Sequence, residues 1–269
     1  MVKKLYLVIL MKKIKSFLNK CKILGIPINE IVEIEQSVKE KGGIIYLIGG
    51  NVRDLILEKP ATTHPDIVVN LKLNVLIECL NKSNIKFTKV GSEFGSIVAL
   101  INDYKIDVTC MRSDVKTDGR WAKIKFTSSL EEDSKRRDFT INSIYCDING
   151  NIEDPNNGIE DLKNNKIKFI GNIEQRINED YLRILRFYRF SIILGCDFEK
   201  KSVKICEKNF AKLKKLSFNR RIEEIKKILL DKNIKKTKYL FELKRLFRYS
   251  LESELNFNNF KKLCDVETK

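Results

Sequence analysis

The sequence predicts a mixed α/β or α+β domain up to about residue 150, followed by an almost wholly helical remainder. Three observations carry this. Apolar β-branched runs alternate with helical patterns between Ile44 and Arg112. The turn-rich stretch "NGNIEDPNNGIEDLKNN" then breaks the pattern. Beyond it, every long segment is amphipathic with helical spacing.

Along the chain, the first forty residues read as helical, with Ile14, Phe17, Leu18 and Cys21 on one face. Gly25 and Pro27 interrupt them, and "INEIVEIEQSVKEKGG" is a second helix closed by Gly42-Gly43. "IIYLIG" is then a continuous apolar strand, "NVRDLILE" a short helix, "DIVV" a strand and "LNVLIECLNKS" a helix. "SIVALIN" and "YKIDVTCMR" form a hairpin turning at Asn102-Asp103. In the helical part, "EDYLRILRFYRFSIIL" puts Leu182, Leu185, Tyr188 and Ile192 near one face and Arg183, Arg186 and Arg189 at intervals of three. "KSVKICEKNFAKLKKL", "FNRRIEEIKKILL" and "TKYLFELKRLFRYSLESEL" are lysine-rich amphipathic helices.

With 269 residues, 43% hydrophobic and 33% charged, the chain is long and apolar enough to bury a sizeable core. A formal charge of +16 points to a polyanionic partner, nucleic acid or an acidic membrane surface, although Lys- and Asn-rich compositional drift would also produce it. The 7 cysteines form no C-x-x-C pair, and a single histidine leaves no zinc-finger constellation. They read as reduced, buried thiols of a cytoplasmic protein. The apolar run in "MVKKLYLVILMKK" is too short to span a bilayer and lacks a small-residue cleavage site.

The chemistry gathers in a few places. Gly49-Gly50, after a strand and before a helix, lets backbone approach a phosphate; a plain tight turn explains the pair equally well. Arg53 falls on the first helical turn, where a guanidinium can grip phosphate. Asp66 opens the next strand and can hold Mg²⁺. Asp107, between Ile106 and Val108, points away from the core, into a site or into solvent as an edge residue. Arg136, Arg137, Asp138 and Asn142 can clamp phosphate and ribose, or begin a charged helix. Asp180 and Arg183 lie three apart on one helical face, as an ion pair or as an acceptor and donor for a base edge.

Together, "GGNVRDLIL", "PDIVVN", "FGSIVALI", "DVTCMRSD", "TDGRWA", "RRDFTINSIYCD", "DPNNGIEDL" and "EDYLRILRFYRF" resemble the class II tRNA nucleotidyltransferase and bacterial poly(A) polymerase family, most closely its CCA-adding enzymes. The resemblance runs from about Ile44 to Leu230 and implies an α+β, polymerase-β-type nucleotidyltransferase head followed by an all-helical neck. It divides the chain into a helical extension (1–43), a head (44–155), a neck (156–230) and the start of an RNA-binding helical body (231–269). It implies metal-dependent addition of CMP and AMP from CTP and ATP to tRNA 3′ ends. Addition of CC or A alone, poly(A) synthesis, and weak activity in a degenerate binder of tRNA or nucleotide are the alternatives.

Carried over by position, Gly49, Gly50 and Arg53 meet the triphosphate. Asp66 is the second aspartate of the family's D-x-D. Read from its strand position rather than carried over, Asp107 is the second candidate catalytic carboxylate. Arg137, Asp138 and Asn142 orient ribose and phosphates. Asp180 and Arg183 select the base, joined by Arg186 and Arg189, while Arg220 and Glu224 match a later neck motif. Two positions depart from the pattern. His64 replaces the first aspartate of D-x-D, giving a metal set of His64, Asp66 and Asp107 for Mg²⁺, or for the more nitrogen-tolerant Mn²⁺. Trp121 replaces a histidine in a mobile loop. The chain also ends where the family usually continues through body and tail regions.

Overall fold

The computed structural model describes residues 15–61, 64–118, 121–235 and 237–251. The chain divides into two compact units, Met1–Lys116 with Ala122–Ile159, and Thr117–Trp121 with Glu160–Lys269.

The first unit is built on a seven-stranded sheet. Two helices precede it, α1 (residues 15–23) and α2 (Ile28–Lys39), the second burying Ile28, Ile31, Ile34 and Val38. Gly42 adopts a left-handed φ of 71°, and a Cβ on Gly43 would lie 2.6 Å from that of Val38, so the helix can close this tightly only on glycine. There follow β1 (Ile45–Ile48), α3 (Gly50–Ile56), β2 (Asp66–Val69), α4 (Leu73–Lys82), β3 (Lys86–Thr88), β4 (Ser96–Ile101) and β5 (Tyr104–Cys110). β6 (Arg112–Asp118) and β7 (Trp121–Phe126) form a separate two-stranded ribbon. The unit ends with α5 (Leu130–Lys135), β8 (Tyr145–Asp147) and β9 (Ile152–Glu153).

Strand order in the sheet is β3-β4-β5-β2-β1-β8-β9. β2 and β5 run parallel and the other paired strands antiparallel. The predicted β4–β5 hairpin is present, with Ile101 opposite Tyr104 and Asn102 at a φ of 51°. One face of the sheet buries Leu47, Ile67, Val69 and Val108 in the main core with Ile31, Ile34 and Leu76. Alternation sends Ile48, Val68 and Tyr145 to the opposite face, where Met111, Tyr46 and Leu130 join them.

The second unit is helical: α6 (Gly158–Lys163, which begins in the first unit), α7 (Ile173–Glu179), α8 (Leu182–Ile193), α9 (Lys200–Lys208), α10 (Phe218–Leu229) and α11 (Thr237–Leu251). Leu185, Tyr188 and Ile192 of α8 are buried as their spacing predicts, and Phe187 packs its ring 5.6 Å from Phe169. One expectation fails. Arg189, read as part of an arginine stripe facing nucleotide, is buried, and its Nε pairs with Glu224 Oε2 at 3.1 Å. α8 is apolar over more than one stripe because it sits at the centre of its unit.

Candidate active site

Across the sheet, Tyr145, Ile48, Asp66 and Asp107 stand in one row, each opposite the next on β8, β1, β2 and β5. Directly paired residues project to the same face, so the two aspartates are neighbours on the face that carries Ile48 and Tyr145, about 5 Å apart at the backbone. β5 lies inside the sheet, which removes the reading of Asp107 as an edge residue. Asp66 is exposed and Asp107 half-buried. Burial raises the Asp107 pKa, and the nearby His64 partly offsets the rise. His64 itself is exposed.

Gly49, between β1 and α3, has φ 70° and ψ −129°, a conformation closed to residues with a side chain. A Cβ there would make only an ordinary contact, 3.4 Å from Asp66 Oδ2, so it is the backbone conformation that calls for glycine. Arg53 is the fourth residue of the seven-residue α3, so it belongs to both its first and its last turn, and it is buried. Its Nη1 donates to Asn142 Oδ1 at 2.8 Å, and Asn142 Nδ2 donates to Asp138 Oδ1 at 3.0 Å. That Asp138 oxygen also accepts the Phe139 amide, 2.9 Å away. Arg53 thus joins Asn142 and Asp138, far from it in sequence, in one hydrogen-bonded chain.

Arg136 and Arg137 follow the end of α5 rather than beginning a helix. Both are held by Asp133, which is fully buried. Oδ1 accepts Arg136 Nε at 2.9 Å and the Arg112 amide at 3.2 Å. Oδ2 accepts Arg137 Nη2 and the Tyr145 hydroxyl, each at 2.8 Å. Burial alone would raise the Asp133 pKa; the charges of Arg137 and Arg136, with the Tyr145 and Arg112 hydrogen bonds, overcome it and hold the carboxyl at about 2. Sequence reasoning missed Asp133, although an acid three and four residues before two arginines on a helix is the spacing of a side-chain pair.

In the helical unit, Asp180 and Arg183 do not share a helical face. Asp180 is extended, at φ −154°, in the break between α7 and α8, while Arg183 belongs to α8. Asp180 Oδ1 accepts the Leu182 amide at 3.1 Å and Oδ2 pairs with Arg220 Nη2 at 2.9 Å. Arg183 Nη1 donates to Glu179 Oε2 at 2.6 Å and to the Arg176 carbonyl at 2.9 Å. Glu179, also unforeseen, binds Arg176 as well, at 2.8 Å. Arg186 lies over the Phe190 ring, 5.2 Å from its centroid. Of "TDGRWA", residues 119–120 fall outside those described, and Trp121 opens β7.

Residues 45–168 match the poly A polymerase head domain family. That segment belongs to it. Among similar proteins, the human CCA tRNA nucleotidyltransferase 1, mitochondrial, is 34% identical over 74% of this chain and 46% of its own length. The CCA-adding enzyme of Streptococcus pyogenes is 35% identical over 72% and 48%. The chain therefore spans about half the length of these relatives. Among solved structures, the Bacillus stearothermophilus CCA-adding enzyme in complex with CTP superimposes with a TM-score of 0.71 at 30% identity, covering 89% of this chain and 57% of that one. A tRNA nucleotidyltransferase complexed with a primer tRNA and an incoming ATP analog gives 0.66 at 27%, covering 87% and 67%. The fold expected from the resemblance, a nucleotidyltransferase head followed by a helical neck, is the fold present.

Proposed function

We propose that the chain transfers CMP and AMP from CTP and ATP to the 3′ end of tRNA. The observation that carries this is the row in the head: two carboxylates side by side on one sheet face, with a clamped arginine pair anchored to the same row through Tyr145. Relatives named for CCA addition support it. In the reaction, the RNA 3′-oxygen attacks the α-phosphorus, the bond to the bridging oxygen breaks, and pyrophosphate leaves.

The donor set suits a divalent cation held by Asp66 and Asp107, with phosphate oxygens completing its shell. It does not suit a cage made by protein alone: among the described residues no group of three His, Cys, Asp or Glu side chains converges. On this reading His64 stands near Asp107, beside the two aspartates rather than as a third ligand. Bound there, the cation supplies charge neutralisation and polarisation of the attacking hydroxyl. Arg137 binds the phosphates electrostatically, Asp138 and Asn142 hold the ribose with Arg53 bracing them, and Asp180 and Arg183 meet the base edge.

Purified protein, tRNA ending at the discriminator base, labelled CTP or ATP and Mg²⁺ should yield tRNA extended by C, C and A on sequencing. Extension by one nucleotide type alone would narrow the activity to CC, A or poly(A) addition. No extension, with nucleotide and tRNA still bound, would favour the second reading that His64 motivates, a weakly active binder. The described cysteines are free and buried, which supports a reducing cytoplasm; cell fractionation tests this against the mitochondrial location in the human relative's name.

A further inference from the structure

We infer that Asp133 is a positioning residue for triphosphate binding, fixing the directions in which Arg136 and Arg137 present their charge. It rests on the proposed nucleotide site, and concerns a residue that touches no nucleotide itself.

The argument begins with what a buried carboxylate needs. Asp133 is fully removed from solvent, so each of its lone pairs must meet a donor or cost stability. All the donors it meets belong to the site's own frame. Arg136 gives Oδ1 its Nε at 2.9 Å and its Nη2 at 2.8 Å. Arg137 gives Oδ2 its Nε at 3.0 Å and its Nη2 at 2.8 Å. Each guanidinium is thus held through one edge, and a planar group held along an edge has its plane and its remaining Nη1 fixed. The two arginines share one carboxylate, one per oxygen, so neither turns without disturbing the other.

The remaining donors tie this clamp to the sheet. The Tyr145 hydroxyl lies 2.8 Å from Oδ2 and 3.2 Å from Arg137 Nε, while the Arg137 guanidinium carbon sits 5.4 Å from the Tyr145 ring centre. Tyr145 is fully buried on β8, and two strands separate its place in the row from that of Asp107, with Ile48 and Asp66 between. The Arg112 amide brings in the start of β6, and Thr127 closes the base of that ribbon by donating to the Met111 carbonyl at 3.0 Å. Thr127 Oγ1 bonds Glu132, the neighbour of Asp133. The carboxylate therefore references both arginines to β8, a strand of the sheet that carries the two aspartates, and to the start of β6. A role confined to stability would need buried donors, but not donors that are all phosphate-binding side chains or their supports.

The test is binding, measured calorimetrically on the full chain with tripolyphosphate, CTP and ATP, beside a melting curve for each variant. Asp133→Asn keeps the shape but turns an N–H toward one guanidinium. It should weaken all three ligands by the same factor, about tenfold or more, as loss of supporting partners generally does. In an Arg137→Ala background the same change should add far less, because a residue acting through Arg137 has little left to position. Tyr145→Phe, which keeps the ring and folds even should Asp133→Asn not, should weaken them about threefold for one lost hydrogen bond. Lowered melting temperature with wild-type affinities, additive effects with Arg137→Ala, or a Tyr145→Phe protein of unchanged affinity would each overturn the inference. Wild-type protein that binds tripolyphosphate and nucleotides but extends no tRNA would sink the proposed function and leave this inference standing.

Discussion

Head and neck each hold two arginines on one carboxylate, and they do it differently. In the head, Asp133 takes arginines adjacent in sequence, one on each oxygen, and is fully buried and tied to β8 by Tyr145. In the neck, Glu179 at the end of α7 takes Arg176 from its own helix on both oxygens and Arg183 from α8 on Oε2. The first clamp fastens side chains to a sheet. The second spans a break between helices, and that break is where Asp180 stands. On the proposed function the difference would suit two tasks: phosphates are common to every nucleotide and call for fixed charges, whereas bases differ and call for groups whose own pairings are shallow enough to exchange. Asp180 and Arg220 are such a pair, with side chains 34% and 39% exposed.

If chemistry belongs to the head and choice to the neck, the largest effect should come from Asp66→Asn. Transfer of CMP and AMP should fall together by about a thousandfold, with nucleotide preference unchanged, because a carboxylate that holds the cation acts on every substrate alike. A shift of preference in product sequencing would break the division. His64→Asp should act in the opposite sense, raising Mg²⁺-dependent turnover about a hundredfold and tightening Mg²⁺ binding by calorimetry, since it adds an anionic oxygen near Asp107. Wild-type protein already fast in Mg²⁺, with no gain from this variant, would show that Asp66 and Asp107 suffice.

Asp133 gives the next largest effect, in stability. Its folded-state pKa is lowered from 3.8 to about 2, so its contribution is complete above the unfolded value and is lost as pH falls through the folded one. Denaturant melts should lose about 2 kcal/mol between pH 5 and pH 2 from this group alone, and Asp133→Asn should flatten that limb. A variant whose acid limb matches wild type would deny the buried clamp its charge.

Asp180→Ala should change the ratio of CTP to ATP use about tenfold while tripolyphosphate affinity stays within about twofold, because unpaired polar groups at a base edge discriminate strongly. Equal losses for all four nucleotides would count against selection by the neck. The smallest effect should be Arg220→Ala on stability. An exposed pair contributes less than about 1 kcal/mol, so the melting temperature should barely move. A large drop would show that the Asp180–Arg220 pair is structural despite its exposure.

Much of this was legible in the sequence, for reasons particular residues make plain. β1 and β2 announce themselves as short continuous apolar runs, β4 and β5 by burial that alternates on either side of the Asn102 turn, and α2 because Ile28, Ile31, Ile34 and Val38 repeat at helical spacing. Arg189 misled because an arginine in a periodic stripe looks solvated, and its partner Glu224 lies on another helix. Asp180 misled for a simpler reason: "NEDYLR" has helical composition throughout, and neither glycine nor proline marks the break before Tyr181. The aspartate row needed strand order. No spacing between residues 66 and 107 reveals that their strands are parallel neighbours.

The buried cysteines give the molecule an internal clock. Burial lifts the thiol of Cys110 on β5 and that of Cys146 on β8 to about 12, and raises that of Cys206 on α9 as well. Thiolate, the form that alkylates, is therefore scarce at these sites until the surrounding strands or helix part. A brief pulse of iodoacetamide in rising denaturant, read by peptide mass, would mark Cys110 and Cys146 as the sheet opens and Cys206 as the helical unit does, timing the two openings in one tube.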